Sequence, residues 1–154
     1  MTRKEPLFSV RSATAADALA LSDLEREARK EISAFRGHES LLSANPLIDT
    51  LWSSTVDSRS CLVLVAETSG QIVGYAKGDI TAESASCLVN HIYVDQMARQ
   101  IGIGAGLISE IARIAKSQGC STLDAIALPG DRKMKNLYER VGMPARLLIA
   151  SKTL

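Results

Sequence analysis

The order of apolar runs limits the fold of this chain more than any other feature. Three runs typical of strands follow one another with only turn signals between them, at residues 61–66, 72–76 and 87–94. The first run is continuously apolar, as in a strand that is covered on both faces. A helix, a strand and a short helix come next, at residues 103–116, 123–128 and 132–141. Three strands followed by a strand–helix–strand unit predict a mixed sheet with helices on its faces.

The flanks of this pattern predict further elements. Alternation over residues 7–11 indicates a first strand, and apolar residues at helical spacing predict a helix from about 15 to 32. Asn45 and Pro46 are typical of a second helix start, a capping residue followed by proline. Residues 147–150 are consistent with a last strand. Because strands and helices are interleaved in this order, the chain belongs to the α/β (α+β) class.

Composition excludes several classes of function. The 154 residues suit one domain, residues 1–154, and a net charge of +1 lacks the basic excess of nucleic-acid binders. We therefore expect no nucleic-acid partner. No run reaches the ~20 apolar residues of a membrane span, so we expect no membrane partner either. Cys61, Cys87 and Cys120 show no metal-ligand spacing. We interpret them as reduced core thiols of a cytoplasmic protein that uses no metal.

The segment between the third strand and the long helix is rich in glycine. Gly102, Gly104 and Gly106 stand within five residues, although a glycine in a helix costs roughly 0.5–1 kcal/mol relative to alanine. Glycine lets a ligand approach the backbone, and the free N–H groups of a helix N-terminus favour phosphate. Arg99 adds a positive charge in front of the loop. The segment therefore predicts a phosphate-binding loop, with a glycine packing contact between helix and sheet as the alternative.

Two common phosphate-binding motifs do not fit this loop. No Lys-Ser or Lys-Thr follows the last glycine, so the Walker pattern is absent. The dinucleotide-binding pattern needs a third glycine where the chain has Leu107, and a tighter turn after the strand. An unrelated nucleotide-binding domain is still an alternative. Such a domain predicts no role for Tyr138, a tyrosine of the last predicted helix.

Two separated motifs resemble the Gcn5-related N-acetyltransferase (GNAT) family. Residues 99–104 resemble its loop, Gln/Arg-x-x-Gly-x-Gly/Ala, at every defined position. Residues 138–143 resemble its later Tyr-Glu-x-x-Gly-Phe segment, with Met143 in place of Phe, and residues 72–76 and 92–95 resemble the strands before the loop. The resemblance covers about residue 7 to the C-terminus. It implies a mixed, mostly antiparallel central sheet with helices on both faces and an acetyl-CoA-dependent N-acetyltransferase.

The resemblance implies that acetyl-CoA lies where the fourth and fifth strands part. Its pantetheine arm would pair with the backbone of Ile92, Tyr93 and Val94, and an N–H near Val94 would polarise the thioester carbonyl. Its pyrophosphate would bind the amides of the following loop, which are those of Arg99, Gln100, Ile101, Gly102, Ile103, Gly104 and Ala105. Asp131 stands where the family often has a pantetheine-contacting asparagine. An ionised aspartate accepts hydrogen bonds but cannot donate them.

The resemblance also implies catalytic roles. Tyr138 occupies the position of the tyrosine that protonates the leaving thiolate; its alternative is a buried core tyrosine. The family has no fixed base, and His91 is our candidate by residue type, with a hydrogen-bonded structural histidine as the alternative. His38 lies in a loop that would border the acceptor pocket. The weaker base candidates are Glu83, Asp79 and Glu27.

The leading hypothesis is therefore transfer of an acetyl group to a primary amine of a small molecule or a protein. The balanced charge argues against polycationic targets, which need an acidic cleft. The alternative is a non-catalytic acetyl-CoA sensor of the same fold, which needs no acid such as Tyr138. Twelve residues follow Gly142, so we expect an open acceptor side or one that a partner subunit completes. Residues 143–148 are the candidate homodimer contact.

Overall fold

A five-stranded sheet and five helices make up residues 4–154, which the computed structural model describes. The strands are β1 (Ser9–Ser12), β2 (Cys61–Thr68), β3 (Gln71–Thr81), β4 (Ser86–Val94) and β5 (Thr122–Ala125). The helices are α1 (Ala18–Ile32), α2 (His38–Ala44), α3 (Trp52–Thr55), α4 (Ile103–Ser117) and α5 (Arg132–Arg140). Short 3-10 turns precede α1 and α3 and follow β4, at Ala15–Asp17, Asp49–Leu51 and Gln96–Ala98.

The strands lie side by side in chain order, β1-β2-β3-β4-β5. The first four are antiparallel: short turns join β2 to β3 and β3 to β4, whereas the segment with α1, α2 and α3 joins β1 to β2. Strand β5 is parallel to β4, and α4 makes the crossover between them. The predicted mixed, mostly antiparallel sheet is confirmed.

Each face of the sheet has its own core. On one face α4 buries Leu107 and Ile111 against the strands, both at 0% exposure. On the other face α1 and α3 bury Leu21 and Trp52 against Tyr75 and the central strands. Full burial of one such side chain contributes roughly 1.5–3 kcal/mol. The helices therefore cover both faces, as predicted, and they fix the position of β4 in the middle of two cores.

The prediction that a helix starts at Asn45 and Pro46 is wrong. The structure ends α2 there, and Asn45 caps it by donating from Nδ2 to the Leu41 carbonyl at 3.0 Å. Arg29 of α1 donates to the Asn45 carbonyl at 2.7 Å and so satisfies another group at the same helix end. Asparagine suits either end of a helix, and here the contact with α1 decides between them.

A buried carboxylate on α1 determines where helix resumes after α2. Glu25 is fully buried, and it accepts hydrogen bonds from Ile48 N at 2.9 Å, Asp49 N at 3.1 Å and Trp52 Nε1 at 2.9 Å. These donors satisfy the charge and hold the start of the 3-10 turn before α3. The position of this turn thus depends on a contact between distant parts of the chain.

The prediction of a strand at residues 147–150 is also wrong. Residues 143–154 form no strand in the described structure, and Leu147, Leu148 and Ile149 are 78%, 92% and 82% exposed. A strand needs a paired neighbour, and these residues have none. Strand β5 likewise ends at Ala125 rather than at residue 128, because the chain leaves the sheet there. The candidate dimer contact at 143–148 stays a prediction.

The cysteines are free thiols. Cys87 is fully buried, and burial raises its pKa to about 11, which keeps it protonated and inert. In residues 4–154 no three His, Cys, Asp or Glu side chains group as metal ligands would. None of the helices described has the length and apolarity needed to cross a membrane.

Candidate active site

A cleft opens where β4 and β5 part. The two strands pair only over the first residues of β4, Ser86 to Val89, against the whole of β5. Strand β4 then continues to Val94 with β3 as its strand partner. The edge of β4 beyond Val89 therefore faces a gap, with the segment that follows β5 on the other side.

Strand alternation determines which backbone groups face this gap. Asp95 N donates to Val73 O at 2.7 Å and so points toward β3. Successive residues of a strand direct their N–H and C=O groups to opposite neighbours. The backbone groups of Ile92 and Val94 therefore face the cleft, and those of Tyr93 face β3. Two of the three residues expected to pair with a pantetheine arm have the required orientation.

The loop after β4 presents a row of free backbone N–H groups. Gln100 and Gly102 adopt left-handed backbone conformations, with φ of 71° and 95°. Left-handed residues alternating with ordinary ones turn successive N–H groups toward one side and form an anion-binding nest. Among the residues described, no acceptor meets the N–H groups of residues 99–105, and the first bonded amide of α4 is Gly106 N, to Gly102 O at 3.0 Å. The dipole of α4 adds to this positive potential.

The three glycines of the loop serve different purposes. Gly102 is the N-cap of α4 and needs its left-handed conformation. A Cβ on Gly104 would lie 2.9 Å from Leu137 Cδ2, and a Cβ on Gly106 would lie 2.8 Å from the ring of Phe8. Gly106 is thus a packing glycine, in line with the alternative considered above, whereas Gly102 shapes the nest.

Arg99 is bound to the protein itself. Its guanidinium donates to both carboxylate oxygens of Glu31 on α1, at 2.8 and 2.6 Å, and its Nε donates to Val94 O at 2.9 Å. It also lies 5.5 Å from the centre of the Tyr93 ring. These hydrogen bonds lower the pKa of Glu31, so the pair stays ionised near neutral pH. The positive charge expected from Arg99 is therefore offset, and the side chain instead ties the loop to α1.

An open cavity of about 430 Å³ lies beside the loop, lined by Gln96, Arg99, Gln100 and Lys133. Lys133 comes from the first turn of α5, across the cavity from the loop. Sequence reasoning missed both Lys133 and Glu31, because nothing local marks either residue. With the free amides on one side and an ammonium on the other, the residues present fit a chain of phosphates.

Tyr138 of α5 lies across the cleft from β4. It is 7% exposed, and its hydroxyl donates to Ile126 O at 3.2 Å. Ile126 is the residue directly after β5, so the hydroxyl lies where the two strands have parted. Burial raises the pKa of Tyr138 well above its usual value, with a smaller contribution from Asp131. The phenol is therefore neutral and can donate a proton.

Asp131 is the N-cap of α5. Its Oδ1 accepts from Met134 N at 3.1 Å, which satisfies one amide of the first helical turn. This contact explains an aspartate at a position where the resemblance suggests asparagine, since capping needs only an acceptor. A contact between Asp131 and a pantetheine arm stays a prediction.

His91 lies on the face of the sheet that α1 covers. Its Nδ1 is 3.2 Å from the hydroxyl of Tyr75, and its ring contacts Trp52 edge-on with the ring centres 6.1 Å apart. Burial, together with the positive charge of Lys77 on the facing strand, lowers the pKa of His91 to about 4. The ring is therefore neutral near pH 7 and is a weak base.

The weaker base candidates have different environments. Glu27 is exposed and pairs with Lys30 at 2.7 Å, and Glu83 is exposed in the turn between β3 and β4. Asp79 of β3 accepts from Lys77 Nζ at 2.5 Å and is half-exposed.

The loop between α1 and α2 reaches across the end of the cleft. A Cβ on Gly37 would lie 3.5 Å from Leu128, and a Cβ on Gly130 would lie 3.8 Å from Phe35. His38 Nδ1 donates a hydrogen bond to the nearby Phe35 carbonyl oxygen at 2.7 Å. This loop thus contacts the segment after β5, at the position expected for the border of an acceptor pocket.

The sequence matches the model of the acetyltransferase (GNAT) family over residues 21–143. The chain belongs to this family. It is therefore an acetyl-CoA-dependent N-acetyltransferase, and acetyl-CoA is its co-substrate. The resemblance stated from the two motifs is confirmed.

Solved structures of this family have the same fold. A PaiA N-acetyltransferase from Thermoplasma acidophilum, in complex with coenzyme A, is 17% identical with a TM-score of 0.73, and 88% of each chain is covered. A ribosomal-protein-alanine N-acetyltransferase from Brucella melitensis is 27% identical with a TM-score of 0.70, covering 87% of this chain and 83% of the other. The aminoglycoside acetyltransferase AAC(6')-Iy, bound to a bisubstrate analogue, is 15% identical with a TM-score of 0.71, covering 96% and 99%. No curated protein matches the sequence.

Proposed function

We propose that this acetyltransferase moves the acetyl group to a primary amine by direct attack, with Tyr138 as the general acid. The observation that carries the proposal is the buried Tyr138 hydroxyl at the splayed end of β5, hydrogen-bonded to Ile126 O at 3.2 Å. Burial raises the pKa of Tyr138 and so keeps its hydroxyl protonated at neutral pH, which leaves a proton available for the leaving thiolate.

The cleft supports a definite orientation of acetyl-CoA. Its phosphates bind the free amides of residues 99–105. Lys133 supplies a positive charge to them, since the charge of Arg99 is paired with Glu31. Its pantetheine arm pairs with the cleft-facing backbone of Ile92 and Val94. The thioester then lies between β4 and the Tyr138 hydroxyl, and a preorganised N–H of the cleft-facing backbone from Ile92 to Val94 stabilises the developing oxyanion by about 2.7–4 kcal/mol.

The chemistry needs two proton transfers. The amine nitrogen attacks the thioester carbonyl carbon, the carbon–sulfur bond breaks, and the Tyr138 O–H protonates the sulfur. Before this step the acceptor ammonium gives one proton to solvent, and the neutral amine loses a second proton when its nitrogen attacks. His91 is the proposed acceptor of this second proton because its ring is neutral near pH 7. The Tyr138 phenolate regains its proton from solvent. A His91→Gln variant whose rate stays within threefold of the parent would assign the proton to solvent directly.

The acceptor is a small-molecule or a protein amine. Neighbours of this fold are named for both classes, aminoglycosides and a ribosomal-protein alanine. The first test is thermal unfolding with acetyl-CoA, CoA, ATP and NAD in parallel. A ligand at 100 times its dissociation constant adds about 2.7 kcal/mol to the free energy of unfolding. We expect stabilisation by acetyl-CoA and CoA alone; stabilisation by ATP or NAD alone would overturn the proposal.

A further inference from the structure

A polar group of four side chains lies at the point where the cleft opens. The pairing of β3 with β4 shifts between Lys77 and Gly78, which leaves Asn90 as an additional residue of β4. Asn90 directly follows Val89, the last residue of β4 that pairs with β5. We name these four side chains the acceptor cluster: Lys77, Asp79, Asn90 and Asn45.

The orientation of the Asn90 amide is determined by its neighbours. Its Nδ2 donates to Asp79 Oδ2 at 2.5 Å and to Asn45 Oδ1 at 3.1 Å. Turning the amide over would place its oxygen against these two oxygens and lose both hydrogen bonds. The observed orientation is therefore the stable one. Asn45 cannot offer its own amide N–H in exchange, because its Nδ2 is bound to the Leu41 carbonyl.

The Asn90 oxygen has no donor. Asn90 Oδ1 is buried, and no group among residues 4–154 donates a hydrogen bond to it. Buried polar atoms without a partner are rare in folded proteins, and they call for a ligand or another explanation. An N–H group that enters from the cleft would satisfy this oxygen.

Asp79 supplies a second acceptor beside the first. Lys77 Nζ and Asn90 Nδ2 occupy one site on each carboxylate oxygen, and an ionised carboxylate offers about four. The Asp79 side chain is 45% exposed while that of Lys77 is 10% exposed, so the carboxylate and not the ammonium is accessible. Lys77 and the nearby Arg29 guanidinium, which is bound to Asn45 O, keep the local charge from becoming strongly negative.

We propose that Asn90 Oδ1 and the Asp79 carboxylate together bind the amino group of the acceptor. The inference rests on the proposed function. Asn90 and Ile126 are the residues directly after the last pair of β4 and β5, and the Ile126 carbonyl binds the Tyr138 hydroxyl, so an amine on Asn90 lies close to the proposed general acid. A neutral primary amine has two N–H groups, one for each acceptor, and its lone pair stays free to attack the carbonyl. Leu88 pairs with Asp79 on the neighbouring strand and is partly exposed, so an apolar body beside the amino group has a surface to contact.

This geometry selects a class of acceptor. One accessible carboxylate flanked by Lys77 and Arg29 suits a single positive charge and opposes a second one close by. The acceptor is therefore a primary amine of one positive charge with an apolar portion next to the amino group. Spermidine and kanamycin carry several charges and fit this cluster poorly.

The test measures acetylation of four amines and binding of acetyl-CoA with the same protein. The amines are 2-phenylethylamine, a short peptide with an N-terminal alanine, spermidine and kanamycin. We expect the first two to have kcat/KM values about tenfold or more above those of the last two. Asn90→Leu and Asp79→Asn are expected to raise the KM for the best amine about tenfold and to leave acetyl-CoA affinity within twofold.

Asp124→Asn is the matched control, since it removes a carboxylate from the next strand on the same face, opposite Leu88. Asp79→Asn alters a half-exposed side chain and keeps the test valid if Asn90→Leu does not fold. Variants that behave like the control, a preference for the polycations, or intact acetyl-CoA binding without acetylation of any of the four amines would each overturn this inference. Absence of acetyl-CoA binding in the parent protein would instead overturn the proposed function, and the inference with it.

Discussion

The two sides of the cleft use different chemical groups. The phosphate side, residues 99–105, relies on backbone N–H groups from one continuous segment, shaped by left-handed residues and the start of α4. The acceptor cluster relies on side chains that α1, β3, β4 and the end of α2 bring together. A backbone site recognises what every reaction of the family shares, the phosphates of the co-substrate. A side-chain site changes with single substitutions, so the choice of amine resides there.

The largest expected effect is on the backbone side. Gly104→Val forces a branched side chain against Leu137, which lies 2.9 Å from the Cβ position, and so displaces the first turn of α4 with its free amides. We expect CoA affinity to fall about 1,000-fold, or about 4 kcal/mol. The measurement is calorimetric titration with CoA. Since the new side chain meets Leu137, the double variant Gly104→Ala/Leu137→Ala is the control for packing. Normal CoA binding by folded Gly104→Val would remove the loop from the cofactor site.

The next effect separates catalysis from binding. Tyr138→Phe keeps the ring in its pocket and removes the proton donor, so kcat should fall about 100-fold with CoA affinity unchanged. Steady-state kinetics and CoA titration measure the two quantities. An equal loss of both, or no loss, would take Tyr138 out of the acid role and favour a binding module of the same fold.

A pH-dependent effect on stability comes from His91, which pairs with Lys77 of the acceptor cluster on the neighbouring strand. The pKa of His91 is about 4 in the folded protein and about 6.5 when unfolded, so the unfolded chain binds the proton first on acidification. The contribution of His91 to stability is complete above pH 6.5 and declines by about 3 kcal/mol as the pH falls to 4. Urea unfolding over this range measures it. His91→Gln should flatten the decline, whereas His38→Gln, which changes the other histidine, should preserve it.

The smallest effect is at the contact between the phosphate loop and α1. Glu31→Gln keeps one hydrogen bond to Arg99 and removes the charge, and we expect a loss of about 1 kcal/mol of stability. CoA affinity should fall only a few-fold, because the amides and Lys133 are unchanged. Glu110→Gln, at an exposed pair with Arg113 on α4, is the matched control. A larger loss of CoA affinity than for Gly104→Val would mean that side chains, not backbone, dominate the phosphate site.

The predictable parts of the fold are those encoded by consecutive residues. The strand order, α4 and the loop from Arg99 to Gly104 follow from apolar periodicity and glycine spacing, which act within a few residues. The helix expected at Asn45 was wrong because the direction of its cap depends on Arg29 of α1. The strand expected at 147–150 was wrong because an apolar run forms a strand only beside a partner.

The site shows the same division. Tyr138 and residues 99–105 were found from short motifs, and their roles in binding and catalysis stay predictions. Glu31 contacts Arg99 across 68 positions of sequence, and Asn90 contacts Asn45 across 45. No local pattern distinguishes these partners from other polar residues on the same elements. Pair contacts of this kind become visible only when the strands and helices are in place.

The short pairing of β5 has a consequence for amide hydrogen exchange. Among residues 4–154, strand pairing after α4 is limited to Thr122–Ala125, beside one backbone bond from Ser121 N to Ala85 O, whereas β3 pairs with a strand on each side. Segments held by few backbone bonds open at low free-energy cost, so deuterium should enter β5 and α5 well before β2 and β3. A pantetheine arm bound between β4 and this segment, as proposed, would act as an additional strand. Its arrival should slow deuterium uptake in residues 122–138 most, and the co-substrate thereby completes the sheet.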